Sequence, residues 1–315
     1  MKQYAFGVDI GGTTVKMGLF RTTGELLETW EIPTDTSENG KNILGDIAKS
    51  VEEHRKENQL AESEIKGIGM GVPGPVSADG TVLKCVNLGW DVFNVEEKLS
   101  ELTGYQVKAG NDANVAALGE MWQGGGKGFH DMVMVTLGTG VGGGIILGER
   151  ILAGVTGAAG EIGHIHMMDH EEECCGCGNK GCLEQYASAN GIVRLAQRYL
   201  QNHPEMETTL GTELTSKEIW DKVKENDKAA VEIAEQMSDL LGKALAAIAC
   251  VVNPEAFVIG GGMSKAGEIL LEYVQKAYVK NAFHASRNAQ FKLAQLGNNA
   301  GIYGEIGRAS CRERV

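Results

Sequence analysis

His164, Cys175, Cys177 and Cys182 set the first chemical constraint. They read Gly-His, ten residues, then Cys-Gly-Cys-Gly-Asn-Lys-Gly-Cys, and three thiolates with one imidazole make a closed tetrahedral zinc site. A disulfide is disfavoured, because the chain reads as cytosolic and Cys175 and Cys177 are too close in sequence for an easy bond. Cys85 and Cys250 suit scattered buried thiols, whereas four cysteines within nine residues do not. Cys174 is spare. Zinc would tether Glu161, His164 and Glu184 to one place. An imidazole that ligates the ion through one nitrogen can donate a hydrogen bond to a substrate hydroxyl from the other. Carboxylates in such a frame suit a polyol; a structural zinc knot with surface acids is the plainer alternative.

A second chemistry is written at Asp9-Ile10-Gly11-Gly12-Thr13-Thr14 with Lys16. Backbone N–H groups freed by the two glycines can surround a phosphate, threonine hydroxyls donate, and Asp9 can hold a hydrated magnesium. Alone, the segment is also an ordinary hairpin turn. A copy at Gly138-Thr139-Gly140, running on through Val141 to Gly144, shifts the balance, since two such turns would hold a polyphosphate from both sides. Gly138, Gly140 and Gly143 also spell GxGxxG, with Glu161 as the acid further on. That dinucleotide reading needs a helix directly after the glycines, and Ile145-Ile146-Leu147 reads as strand. Lys127 is followed by Gly, so no Walker A pattern is present. Asn111-Asp112 falls at a strand-to-helix junction, where Asp112 is either an N-cap or the base that phosphoryl transfer to a hydroxyl requires.

These groups hang on elements legible from periodicity. Tyr4 to Ile10 and Thr14 to Phe20 form a hairpin. A helix spans Asn42 to Arg55, with Ile43, Ile47 and Val51 on one face. A buried strand, Ile65 to Val72, ends at Pro73-Gly74-Pro75. A helix near Val95 to Leu102, a strand near Gln106 to Ala109 and a helix from Asn111 to Gly124 complete the first half. The second half opens with a central strand, Met132 to Leu137, and repeats the opening design of strand, Gly/Thr turn and apolar strand, here Ile145 to Leu147. Helices follow at Ala187 to Leu200, Thr215 to Lys224 and Ala229 to Val252, the last apolar enough for a lobe core or a dimer face. A strand at Ala256 to Ile259 meets Gly260-Gly261-Gly262, and a helix runs from Ser264 to Ala282. The acidic run Asp169 to Glu173 reads as a solvated loop.

Composition narrows the class. At 315 residues and ~150 residues per domain, about two domains are expected. A net charge of -13, from 29 Lys and Arg against 42 Asp and Glu, argues against an electrostatic grip on nucleic acid or anionic lipid and for a small-molecule substrate. Glycine, 44 residues, is about twice its usual ~7% and serves turns and close ligand approach. No run of 18 apolar residues occurs, and the opening segment is strand-like rather than a signal sequence, so a cytoplasmic protein without a membrane partner is expected. From Glu305 the chain reads EIGRASCRERV, which resembles translated sequencing-adapter read-through and is set aside from fold reasoning as residues 305–315, replacing the end of a natural helix that starts near Asn299.

Together the segments resemble the ROK family of sugar kinases and sugar-responsive repressors, most closely its bacterial glucokinases. The resemblance covers residues 4–304 and rests on Asp9-Ile10-Gly11-Gly12-Thr13, Gly138 to Gly144, Gly160-Glu161-Ile162-Gly163-His164 and Cys175 to Glu184. It implies an α/β, actin-like or hexokinase-like (ribonuclease H-like) fold of two lobes with duplicated hairpin phosphate turns, divided as 1–120 and 121–304. It implies ATP and magnesium, with Asp112 as general base. Sugar contacts would come from Asn111, Glu161, His164 and Glu184, structural zinc would sit on His164 and the three cysteines, and adenosine would lie near Gly260-Gly261-Gly262-Met263. The expected activity is transfer of phosphate from ATP to the 6-hydroxyl of a hexose, D-glucose first, in glycolysis, by a homodimer. A kinase for another hexose or an N-acetylhexosamine, or a sugar-responsive regulator, is the alternative; the regulator would need a helix-turn-helix domain before Asp9.

Overall fold

The computed structural model describes residues Lys2–Ala309. Two five-stranded sheets carry the chain, and it divides into two compact units. The first comprises the chain up to Gly128, Gly144–Ala159 and Asn298 onward; the second comprises Phe129–Gly143 and Gly160–Gly297.

In the first unit β1 (Tyr4–Ile10), β2 (Thr14–Arg21) and β3 (Leu26–Pro33) form an antiparallel meander. After α1 (Ile43–Glu57), β4 (Ile65–Val72) adds parallel to β1. A small pair, β5 (Thr81–Val82) and β6 (Phe93–Asn94), leads into α2 (Val95–Thr103) and then β7 (Val107–Asn111), parallel to β4. The order β3-β2-β1-β4-β7 is the expected ribonuclease H-like arrangement. Because side chains alternate across a strand, Phe6, Val8 and Ile10 join a core with Ile43, Ile47 and Val51 of α1 and Leu99 of α2. The opposite face of β1 carries Ala5, Gly7 and Asp9.

That second face is covered by α3 (Asp112–Gln123) and α9 (Ala300–Ala309). Glycine admits α9. A methyl at Gly69 would fall on the Glu305 carbonyl, and one at Gly7 would come within 2.6 Å of the Ile302 carbonyl oxygen. Set beside the expected split at 120, the first unit therefore also takes in 298 onward, because α9 packs on β1, β4 and α3. Residues 305–309 of the segment set aside continue α9, with Glu305 and Ile306 fully buried; Ser310 to Val315 lie outside the described residues.

The second sheet runs β10-β9-β8-β11-β12, built from β8 (Met132–Leu137), β9 (Val141–Leu147), β10 (Arg150–Ile151), β11 (Ala256–Gly260) and β12 (Gln290–Leu293). β9 starts at Val141 rather than Ile145, so Gly142 to Gly144 belong to the strand and the turn is only Gly138–Gly140. A strand, not a helix, follows the glycines, which removes the dinucleotide reading.

The expected helix over 187–200 is two: α4 (Glu184–Ala187) and α5 (Ala189–Asn202), broken at Ser188, whose hydroxyl caps α5 by accepting from Gly191 N. Thr215 caps α6 (Ser216–Lys224), and Asp227 caps α7 (Lys228–Val252). α7 buries one face, from Ala229 to Ala249, as lobe core. It meets α8 (Glu268–Asn281) at Gly242, where a methyl would come within 2.6 Å of the Ala277 side chain. A short 3₁₀ turn over Gly262–Ala266 precedes α8, so the expected helix from Ser264 starts later; Gly267, at φ +86°, breaks the two apart. No helix of the described residues is long and apolar enough to cross a membrane.

Candidate active site

The first unit gathers Asp9, Asp112 and the Gly11–Thr14 turn. Asp9 stands next to the end of β1, paired across the hairpin with Lys16 and on the other side with Gly71 of β4. A methyl at Gly71 would come within 2.8 Å of Glu305 Oε1, which accepts from Gly71 N, and would lie 3.4 Å from Asp9 Oδ1 and 3.8 Å from the Asp112 Cα, so the acids crowd a strand position that only glycine fits. Burial pushes the Asp9 carboxyl up to about 6; the Asp112 charge adds to this and Lys16 opposes it. Two neighbouring carboxylates with one lysine form a place where a divalent cation would relieve repulsion.

Capping of α3 falls to Asn111, not Asp112: Asn111 Oδ1 accepts from Asn114 N at 3.1 Å. Asp112 is the first helical residue and accepts from Ala113 N. Its carboxylate is thereby separated from the capping role that the sequence also allowed. Asn111 Nδ2 donates to Gly74 O at 3.3 Å, which leaves one amide hydrogen of that group for a further partner. The turn itself is closed by Gly11 N to Thr14 O and steadied by Thr34, whose hydroxyl donates to Gly11 O. Gly12, Thr13 and Thr14 are exposed, and a side chain on Gly12 would meet nothing within 4 Å.

In the second unit the Gly138–Gly140 turn sits beside Glu184. Glu184 Oε2 accepts from Val141 N at 3.0 Å, and its Oε1 accepts from Cys175 Sγ at 3.5 Å. A methyl at Gly140 would fall on that carboxylate. Segment 160–164 is brought to the same strand by glycine: Gly143 lies against Gly160 and Ile162, and Gly163 against Val141. Glu161, His164 and Glu184 are thus gathered by packing, with His164 Nε2 3.9 Å from Glu161 Oε2.

His164, Cys175, Cys177 and Cys182 place four ligand atoms within 4.8 Å of one another. His164 Nδ1 is 3.7 Å from Cys175 Sγ, and Cys177 Sγ is 3.7 Å from Cys182 Sγ. Tetrahedral zinc with Zn–S bonds of about 2.3 Å sets sulfurs about 3.8 Å apart, so the residues fit such an ion. Burial pushes the Cys182 thiol up to about 12, whereas the Asn179 N–H lowers Cys177. A divalent cation is the partner that holds all three as thiolates at neutral pH. Cys174 is exposed and outside the group.

Gly260 ends β11, and Gly261 and Gly262 follow it. Gly261 has φ +81° and would drive a methyl into Leu137, while Gly262 faces open space. A cavity of about 140 Å³ is lined there by Gly262, Met263 and Lys265 with Lys217, Trp220 and Asp221 of α6. The Trp220 Nε1 is buried without a hydrogen-bond partner among the described residues. The α6 residues escaped sequence reasoning, because nothing local links 217–221 to 262–265.

Residues 5–309 match the model of the ROK family. This chain belongs to the ROK family. A glucokinase from Halalkalibacterium halodurans is 42% identical over 304 residues, 95% of this chain and 92% of that relative. Among solved structures, a ROK family glucokinase from Streptomyces griseus in complex with glucose and AMPPNP is 32% identical at a TM-score of 0.76, covering 99% of this chain and 100% of that one. A ROK hexokinase from Thermus thermophilus is 29% identical at a TM-score of 0.81, with the same coverage. The ROK members of known structure thus share the actin-like sugar-kinase fold expected here.

Proposed function

We propose that the chain is a glucokinase, transferring the γ-phosphoryl group of ATP to the 6-hydroxyl of D-glucose. The observation that carries this reading is the paired carboxylates Asp9 and Asp112 beside Gly71, with Asn111 taking over the cap. Asp112 accepts the hydroxyl proton as the oxygen bonds to phosphorus and the bond to ADP breaks. Asp9, its charge disfavoured by burial and by Asp112, holds the hydrated magnesium that accompanies ATP. Little covalent work falls to the protein; orientation and charge carry the rate.

Amides and hydroxyls of Gly11 to Thr14, with Lys16, and of Gly138, Thr139 and Gly140 hold phosphates. Glu161, the His164 Nε2 and Glu184 bind sugar hydroxyls, and the remaining Asn111 amide hydrogen adds one contact. The adenine lies in the cavity between α6 and Gly262-Met263. Zinc on His164, Cys175, Cys177 and Cys182 is structural, since four protein ligands leave no open position; it fixes the segment carrying Glu184. Other hexoses, N-acetylhexosamines and a regulatory role are less favoured, glucose being the sugar named for the glucokinases this chain resembles. Asp112→Asn is expected to keep glucose binding by calorimetry while turnover in a coupled ADP-release assay falls by about 10²-fold or more. Near-normal turnover would overturn the base assignment, and a hexose panel in which glucose is not preferred would overturn the substrate.

A further inference from the structure

The acidic run Asp169 to Glu173, expected as a solvated loop, holds a buried group. The Glu171 side chain is 2% exposed. Its carboxylate accepts from the Tyr186 hydroxyl and from Arg194, and takes both Arg198 Nη atoms at 3.0 Å, one on each oxygen. Hydrogen bonding to Arg198 holds it well below the usual carboxylate range. Arg194 also lies over the Tyr186 ring, 5.5 Å from its centre. One residue in a loop thus binds α4 through Tyr186 and α5 through two arginines.

The neighbours of Glu171 complete the clamp. Gln185 Nε2 donates to Glu173 O at 3.0 Å, and Gln185 Oε1 accepts from Cys182 N at 3.1 Å. α4 is a helix of one turn, Glu184–Ala187, too short to hold its own orientation by helical hydrogen bonds. Tyr186 and Glu184 stand two residues apart on it, and Glu184 is the residue that accepts from Val141 N. Arginine pairs with a buried carboxylate through fixed bidentate geometry, which suits an anchor more than a solvated ion pair does.

We propose that Glu171 is a positioning residue for Glu184: it fixes the one-turn helix through Tyr186 and so sets the sugar-binding carboxylate in register with Val141. This rests on the glucokinase reading, in which Glu184 binds glucose. Glu171 touches neither substrate nor metal ligand.

Glu171→Gln keeps the shape and removes the charge. Measured against unmodified protein, it is expected to raise the KM for glucose by about tenfold, as loss of a supporting partner does, while the KM for ATP moves less than about threefold and zinc stays at one per chain by metal analysis. Tyr186→Phe cuts only the link to α4 and is expected to reproduce part of the glucose effect with the arginine pairs intact; it also serves if Glu171→Gln does not fold. Amide exchange over the peptide containing Val141 is expected to quicken in both variants, a readout that needs no activity. Unchanged glucose KM and unchanged exchange refute the inference. So do parallel rises in both KM values, or loss of zinc, which would mark Glu171 as serving the metal loop or the whole fold. If unmodified protein fails to phosphorylate glucose, the kinase reading falls by itself, and the exchange measurement still decides whether Glu171 holds Glu184 against Val141.

Discussion

Replacing Asp9 with asparagine separates what the active site needs from what the fold prefers. The carboxyl is raised from 3.8 to about 6, first by burial and then by Asp112, with Lys16 opposing. Glu305, on α9, also faces Asp9; burial first, and the Asp9 charge second, hold its carboxyl well above the usual range. α9 contributes Gly301 as well, where a methyl would come within 2.5 Å of Asp9 Oδ2. Since the folded value lies above the unfolded one, the native protein binds the extra proton between pH 3.8 and about 6. That stabilisation is complete below the unfolded value and is lost as pH rises through the folded one. The rise from 3.8 to about 6, at ~1.4 kcal/mol for each tenfold change in proton affinity, amounts to about 3 kcal/mol. In urea unfolding without nucleotide or magnesium, Asp9→Asn should match the unmodified protein near pH 4 and exceed it by about 2–3 kcal/mol at pH 8. Saturating magnesium and ATP should narrow the gap at pH 8, because only the carboxylate binds the cation. Asp112→Asn, by deleting the second cause, should flatten the pH dependence of the difference. A gain that is the same at pH 4 and pH 8, or no gain at all, refutes the account of Asp9 as a strained, ionised group awaiting a cation.

Two further outcomes follow from the second unit. Gly140→Ala places a methyl on the Glu184 carboxylate and displaces it from Val141 N; kcat/KM for glucose should fall by about 10-fold or more, and a variant with normal kinetics would show that Glu184 is not held there. Cys177→Ser removes one ligand of the four-residue cluster; zinc content should fall well below one per chain, and thermal unfolding should shift downward in scans of fully reduced protein. Full zinc content in that variant would move the ligand role elsewhere.

Much of this was open to reading in the chain. Ile65–Val72 and Met132–Leu137 emerge with the bounds their apolar runs give, since burial on both faces of a parallel strand leaves a continuous hydrophobic signature. The cysteine cluster announces its chemistry by residue type and spacing alone. Elsewhere local sequence carried too little. Nothing within a few residues of Asp112 says that Asn111 is the cap, because both residue types serve that role and only the backbone angles at the junction choose. The run of glycines after Thr139 reads as one long turn, yet Gly143 and Gly144 are strand residues whose missing side chains admit Gly160, Ile162 and Ala117.

Residue type fixed which chemistries the protein holds: acids beside glycine turns, and an imidazole with three thiols. Tertiary packing decided which of those groups work together. Asp9 and Asp112 are more than a hundred positions apart, and they become neighbours only because β1, β4 and β7 lie side by side in parallel. Glu171 stands in a run of like charges that every local rule assigns to solvent. It is buried because two arginines and a tyrosine, contributed by helices later in the chain, supply the hydrogen bonds that water would otherwise give. Such compensation depends on distances across the fold, which a one-dimensional pattern does not contain.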